Sequence, residues 1–370
     1  MKSHSVVRTA FLTVILLTAG SAANGEAASA PAPEALARPL LQQADSARHF
    51  DRGNTLHANG DLDGAIAEFR SAISQRPNYP EAHVGLGIAL AQKGELDEAI
   101  AEFRTAISQR PSFPLAHYNL GVALDEKGNH EGAIAEYRTA ISQRRNYPDA
   151  HVSLGRALDD KGDHDGAIAE FRTAISQRQN YPLAHYNLGV ALYYKGHLDE
   201  AIGEYRTAIS QQPNYAEAHD NLGSALNDKG DHDGAISEYR TAISQRPNHP
   251  QTHYNLGIAL DAKGDHDGAI AEFRTAISQQ QDFPGAHVDL GIALRAKGDL
   301  DGAIAEFRTA IKQRLNFPQA HYDLGVVLAA KGQLDEAIAE FRTAISQRPN
   351  YPAAQSALDK TLATKNKSRR

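Results

Sequence analysis

The sequence predicts an all-helical solenoid, and three observations lead there. The string AIAEFRTAISQ occurs at 99–109, 167–177, 269–279 and 337–347, with close variants beginning at Ala65, Ala133, Ala201, Ala235 and Ala303. Every step is 34 residues, so nine units run without insertion from Ser46 to Tyr351 and fill 306 of the 370 residues. Each unit carries two apolar stripes of helical period parted by a glycine. One unit cannot bury both stripes, so neighbouring units must stack.

The N-terminus reads as an export signal over residues 1–25. Lys2 and Arg8 supply the positive start, Ala10–Ala19 is an apolar core of ten residues, and small residues follow from Gly20 to Ala23. Cleavage is expected after Ala23 or after Gly25. The 15 residues between Arg8 and Asn24 fall short of the ~20 that a spanning helix needs, so an uncleaved membrane anchor is the weaker reading. Residues 26–45, Ala/Pro-rich, are expected to form a flexible leader.

Within a unit, positions are counted from 1 to 34, so that position 4 of the second unit is His83. Its first helix places Ala82, Leu86, Ala89 and Leu90 on one face. Gly94 suits the left-handed turn that closes a helix, and Lys93 is expected to face its carbonyl end. Glu95, Asp97 and Glu98 open the second helix, where backbone amides are unsatisfied. That helix repeats Ala99, Ile100, Phe103, Ala106 and Ile107 on one face, while Glu102 and Arg104 read as solvated surface. Pro111 stops it, and Pro114 starts the next unit. Position 8 is glycine and positions 20 and 27 are alanine in all nine copies, which lets helix backbones approach closely. Residues 352–370 read as a capping helix, with Ala354, Leu358 and Leu362 on one side, followed by a basic tail. In the first unit Arg52 stands where later units have leucine, as expected of an end that meets water.

Leu-Gly at positions 7 and 8, Ala at 20 and 27, Phe or Tyr at 24 and frequent Pro at 32 resemble tetratricopeptide repeats over residues 46–351. The resemblance implies a right-handed superhelical solenoid whose first helices line a concave groove, and a non-catalytic role in binding other proteins. Two departures stand out. Position 4, usually tryptophan in the family, is histidine in every copy, and position 32 is Arg145, Gln179, Gln281 or Leu315 in four.

Composition narrows the function. The chain has no cysteine and no tryptophan, and its one methionine is Met1, so disulfides, thiolate zinc sites and cysteine nucleophiles are excluded. Lys+Arg 38 against Asp+Glu 45 gives −7, which argues against nucleic acid as a partner. Catalysis needs unlike groups converging at one place, and nearly every polar residue here has copies 34 residues away. No enzyme activity, cofactor or metal is therefore expected. One histidine per stacked unit cannot share a metal across the 8–10 Å between packed helices. His130, His164, His232 and His266 occupy a slot that is leucine in the other units, and read as packing residues.

Variation between copies concentrates on the first helix at positions 2, 5, 6, 9, 12 and 13, which the helical wheel sets opposite its packed face. Position 5 alternates, with Tyr118, Tyr186, Tyr254 and Tyr322 in odd units, and LAHYNLGVAL recurs at 115–124 and 183–192, a pattern of 68-residue doublets. At position 6, Asn119, Asn187, Asn221 and Asn255 are similar to the asparagine ladder in the repeats of O-linked N-acetylglucosamine transferase, whose catalytic domain this chain lacks. That likeness implies capture of an extended peptide by its backbone, since an amide both donates and accepts. Positions 5, 6, 9, 12 and 13 also hold Asp125, Glu126, Asp159, Asp160, Asp220, Asp228, Asp261, Asp289 and Asp323 against Arg156 and Arg295. The expected ligand is thus an extended, basic polypeptide on an acidic groove, its cations held by the tyrosine faces. The expected location is the periplasm or outside the cell. A solenoid that self-associates through its ends, and an accessory subunit of an envelope enzyme, are the alternatives.

Overall fold

The computed structural model describes residues 33–368, and the stretch 1–25 expected to be an export signal and residues 26–32 lie outside them. Among the described residues there are nineteen helices and no strand. The helix that opens the chain's first repeat starts well before it, at Pro33, and runs to Ala58. Residues 33–45 are therefore helical where a flexible leader was expected. Proline costs nothing as a first helical residue, and the Ala and Leu that follow are strong helix formers. Pro39 leaves one backbone bond unmade without ending the helix.

From Pro80 on, each repeat is a 13-residue first helix (Pro80–Gln92, Pro114–Glu126, and so on) and a 14-residue second helix (Leu96–Gln109, His130–Gln143). The turn between them passes through a glycine with φ between 77° and 87°, Gly94 at 84° among them, as the sequence predicts. The described residues form two compact units that divide after Ala191, within the first helix of repeat five (Pro182–Tyr194). In each unit a second helix lies between the first helix of its own repeat and that of the next.

What brings the two helices of a repeat together is a glycine under a ring. A Cβ added at Gly87 would lie 2.6 Å from Phe103 Cε1, and at Gly121 2.7 Å from the Tyr137 ring. The rings at position 24 are sealed, Phe103 and Phe307 completely, and alanines at positions 20 and 27 close the same layer. Nine such rings share the core with the leucines and isoleucines that recur in each repeat.

A polar pair joins the same two helices on another side. His83 Nδ1 lies 2.5 Å from Glu102 Oε2, His117 2.6 Å from Glu136 and His321 2.6 Å from Glu340, the histidines all buried. His117 Nε2 also reaches the Pro111 carbonyl at 3.1 Å, so one ring ties both helices to the preceding linker. The position-23 glutamates are half-buried partners of histidine, not the solvated surface expected of them; Arg104 and Arg138 do face water. The hydrogen bond that His117 donates to Glu136 raises its pKa above the ordinary value, against burial, which lowers it.

Second-helix caps show a rule of their own. Asp61, Asn129, Asp163, Asp231, Asp265 and Asp299 accept a hydrogen bond from the backbone N–H three residues on, which is glycine each time. A Cβ at Gly64 would sit 2.4 Å from the Asp61 carboxylate. Where the cap is Glu95, His197 or Gln333, no such bond forms and the third residue is glutamate. The capping side chain and a side chain at the third position compete for one space. Lys93 does not serve its own helix end: its Nζ meets Asp63 of the previous repeat at 2.7 Å, as Lys297 meets Asp267 at 2.8 Å. Pairs this exposed stabilise little.

The last helix, Pro352–Ser368, is the first helix of a partial tenth repeat, with Ala354 buried and Lys365 paired to Asp335 in the usual way. Position 8 here is Asp359, so the seat of the position-24 ring is closed. Arg52, at the other end, is exposed and pairs with Glu68 at 3.2 Å.

Gly87→Ala should cost about 1–3 kcal/mol in urea melts, because the new methyl overlaps Phe103. Gly203→Ala should gain about 0.5–1 kcal/mol, since nothing lies within 4 Å of that helical glycine. A His117 imidazole titration by NMR should have its midpoint above 6.5 and fall when Glu136 becomes Gln. Because the folded pKa is the raised one, this pair's stabilisation is complete below pH ~6.5 and fades as pH rises through the folded value. A parent midpoint at or below 6.5 would refute the assignment.

Candidate functional site

The variable positions of the first helices do not form one open face. Position 5 is packed: Val84, Tyr118, Val152, Tyr186 and Val288 are all buried. The Tyr118 ring lies 6.0 Å from Tyr137 and 5.2 Å from Tyr147, the aromatic at position 34 of its own repeat. Phe50, Tyr254 and Tyr322 meet Tyr79, Phe283 and Tyr351 in the same way. Six of the rings at position 34 in turn lie under arginine at position 31, Arg144 over Tyr147 at 4.7 Å among them, whereas position 31 is Gln212 and Gln280 in repeats five and seven. Tyr118, buried between the Tyr137 and Tyr147 rings, has no free face for a ligand. Tyr254 and Tyr322 remain half-buried.

The doublet pattern has the same origin. Even repeats two, four and six carry a small valine or Asp220 at position 5, and an acid at position 2 that clamps the arginine. Arg178 meets Asp149 through two bonds of 3.0 Å, with the Tyr181 hydroxyl donating to Asp149 at 2.8 Å. Arg246 meets Glu217 at 2.9 Å. Odd repeats use an aromatic stack in place of that clamp.

The asparagines diverge. Asn119 is buried, at 1 % exposure, and its Nδ2 donates to the Leu115 carbonyl one turn back at 2.8 Å. Asn187 makes the same bond to Leu183 at 2.7 Å. Asn255 accepts from Gln251 at 2.9 Å. Asn187, Asn221 and Asn255 keep part of their surface, so the expected ladder of four lacks its first rung. A short polar side chain inside a helix finds its own backbone before it finds a ligand.

Most of the acids are held by neighbouring side chains. His130 Nδ1 lies 2.7 Å from Asp125, His164 2.7 Å from Asp159 and His266 2.7 Å from Asp261, so the position-17 histidines fill a packing slot and also fix the acids. Asp228 is exposed and accepts from the Tyr193 hydroxyl at 2.5 Å. Asp289 accepts from Tyr254 at 2.6 Å; Asp323 accepts from Gln319 at 2.8 Å and lies 3.8 Å from Arg295. Burial raises the carboxyl pKa of Asp220, Asp289 and Asp323. Asp160 is exposed. Among the described residues no group of three or more His, Asp or Glu is placed to hold a metal ion, and no helix is long and apolar enough to cross a membrane.

One stretch breaks the repeat in three places at once. Asp220 takes position 5, which is aromatic or valine elsewhere. His249 takes position 34, aromatic elsewhere, and Thr252 takes position 3, alanine in repeats two to six, eight and nine. The three come together: His249 Nδ1 is 2.6 Å from Thr252 Oγ1, and Thr252 and Asn255 act on the Asp220 carboxyl pKa against the larger effect of burial. Sequence reading counted Asp220 only among the groove acids; its coincidence with His249 and Thr252 was the signal available.

A family model described as tetratricopeptide repeat matches residues 50–114, 97–151, 186–250, 221–287 and 288–363, and one described as TPR repeat matches 155–196. Among solved structures, the chain resembles one from the APC/C hetero-tetramer Cut9–Hcn1, at 17% identity and TM-score 0.53 over 82% of this chain and 59% of that one. The C-terminal part of a TPR repeat-containing protein from Cytophaga hutchinsonii gives 18% and 0.54, over 65% and 99%. MamA gives 28% and 0.42, over 44% and 95%. No curated protein matches the chain.

Proposed function

The chain belongs to the tetratricopeptide repeat family, and from that premise we propose that it is a non-catalytic scaffold that takes an extended, basic polypeptide along its first helices. The observation that carries this reading is where the copies differ. Second helices are near-identical, whereas variation gathers on a stripe of the first helices rich in acids and amides. Packing accounts for Tyr118 and Asn119 but not for the partly exposed Asn187, Asn221 and Asn255, nor for the exposed Asp160 and Asp228. The half-buried Asp125, Asp159 and Asp261 add negative charge held in place by histidine.

We also place the protein outside the cytoplasm, in the periplasm or secreted, on the strength of residues 1–25. N-terminal sequencing of the exported protein should return Asn24 or Glu26 as the first residue. Recovery of intact Met1 from a membrane fraction would overturn that location.

For the groove, a Lys/Arg-rich peptide should bind more tightly than an acidic one, and its affinity should fall as salt rises, because exposed charges are screened beyond about 10 Å at 0.1 M. The pair Asp160→Asn and Asp228→Asn should weaken the basic peptide roughly fivefold and leave a neutral one unchanged. Equal, salt-insensitive titrations with basic and acidic peptides would refute the electrostatic preference.

A further inference from the structure

The second helices repeat an arginine at position 25 in all nine copies, but not the partner that it meets. Arg70 Nη2 lies 3.2 Å from Glu98 Oε2, and Arg308 Nη2 lies 3.1 Å from Glu336 Oε2, each glutamate standing at position 19 of the following repeat. Position 19 is glycine wherever Asp or Asn caps the second helix, because the cap and a side chain there compete for one space. Arg104, Arg138, Arg206, Arg240 and Arg274 accordingly have Gly132, Gly166, Gly234, Gly268 and Gly302 in place of a glutamate 28 residues on. All five are exposed, and among the described residues none of them has an ion pair. The pairs at Arg70 and Arg308 show what this place takes, a carboxylate; the cap is what removes it from the chain's own supply.

Beside Arg240 the chain leaves an open cavity of about 520 Å³. The helix His232–Gln245 lines it with Asp233, Ser237, Arg240 and Thr241, and the turn into the next second helix, His266–Gln279, lines it with Lys263 and Asp265. Every acid of these two helices and of the cap between them is engaged. Asp233 pairs with Lys263, and Asp265 accepts from the Gly268 N–H at 3.0 Å. Glu238 meets His219 at 2.6 Å, Asp267 meets Lys297 at 2.8 Å and Glu272 meets His253 at 2.6 Å. Arg240 is therefore a cation with no acid to spare for it. Ser237, three residues before it and so on the same helix face, is exposed, and its hydroxyl has no partner among the described residues. Thr241, by contrast, donates to the Ser237 carbonyl at 3.0 Å. Position 22 is alanine or glycine in every other repeat, so the hydroxyl of Ser237 is particular to this cavity.

We propose that Arg240 and Ser237 together receive the carboxylate of one glutamate or aspartate side chain of a partner polypeptide, as Arg70 receives Glu98 and Arg308 receives Glu336 within the chain. A guanidinium meets a carboxylate with two parallel N–H donors, and the hydroxyl beside it adds a third. The seat is on the second helices and stands independently of the groove reading, and its ligand carries the opposite charge. One exposed ion pair stabilises little. Arg206 and Arg274, on the second helices before and after, repeat the same unpaired guanidinium, so an acidic segment that crosses several repeats gains from each.

The test uses the full chain with isotope-labelled arginine and a short, doubly capped Ala/Ser/Gly peptide with one central glutamate, against the same peptide with glutamine, which keeps the shape and loses the charge. The Arg240 Nε–H resonance is identified by its loss in Arg240→Lys. The double variant Asp265→Glu, Gly268→Glu gives repeat seven the cap and the position-19 residue of repeat two, is expected to fold, and sets an intrachain carboxylate beside Arg240. In the parent the Arg240 resonance should reach half its shift at about fivefold less glutamate peptide than glutamine peptide. Ser237→Ala, which restores the residue of most repeats, should raise the half-shift concentration of the glutamate peptide about threefold. The double variant should show no preference between the peptides. Equal half-shifts in the parent, no shift with either peptide, a preference that survives in the double variant, or a half-shift unmoved by Ser237→Ala would each overturn the seat.

Discussion

The structure depends on one steric fit, a glycine at position 8 lying under an aromatic ring at position 24. With a Cβ-to-ring distance of 2.6 Å at Gly87, no larger residue is accommodated unless helix or ring shifts. The fit sets how closely the two helices of a repeat approach. That approach brings position 4 within hydrogen-bond reach of position 23, and so makes the histidine–glutamate pair possible. It also leaves a groove between the two helices of a repeat into which the next repeat's first helix packs. Asp359 shows the converse: once position 8 carries a side chain, a first helix packs on its neighbour but cannot seat a ring of its own.

Around that fit the repeat distributes polar groups in two ways. Those that recur in every copy serve the stack, as the buried pair from His83 to Glu102 does by holding two helices and a linker together. Those that vary fall on the first helix, and even there much of the variation is packing. Tyr118 stacks where Val152 leaves room for the Asp149–Arg178 clamp, so the alternation of doublets is two solutions to filling one space. What remains after that subtraction is small and local: a few partly exposed amides, two exposed acids and the cluster around Asp220.

Much of the fold was legible in advance. The 34-residue period, the helix pairs, the turn at Gly94 and the polar ends rest on contacts within a helix or between helices a short loop apart, and helical periodicity reports such contacts directly. The site was less legible. A helical wheel divides the first helix into a face toward its own second helix and a face away from it, and the latter was read as solvent. In the stack that outer face meets the linker of its own repeat and the first helices on either side. Tyr118 and Asn119 are buried there for that reason, and the glutamate of position 23 leaves the surface to meet a histidine.

The sequence by itself determined the architecture, because nine in-phase copies of an amphipathic pair have only one way to bury their apolar faces, by stacking on one another. It also determined which positions vary. Only the tertiary structure decided which varying residues are free to meet a partner, because that depends on contacts between repeats, which no pattern within one repeat encodes. The physical difference is range. Caps, turns and helix faces are settled by residues a few places apart, whereas Asp289 is held by the hydroxyl of Tyr254, which comes from the preceding repeat 35 residues away.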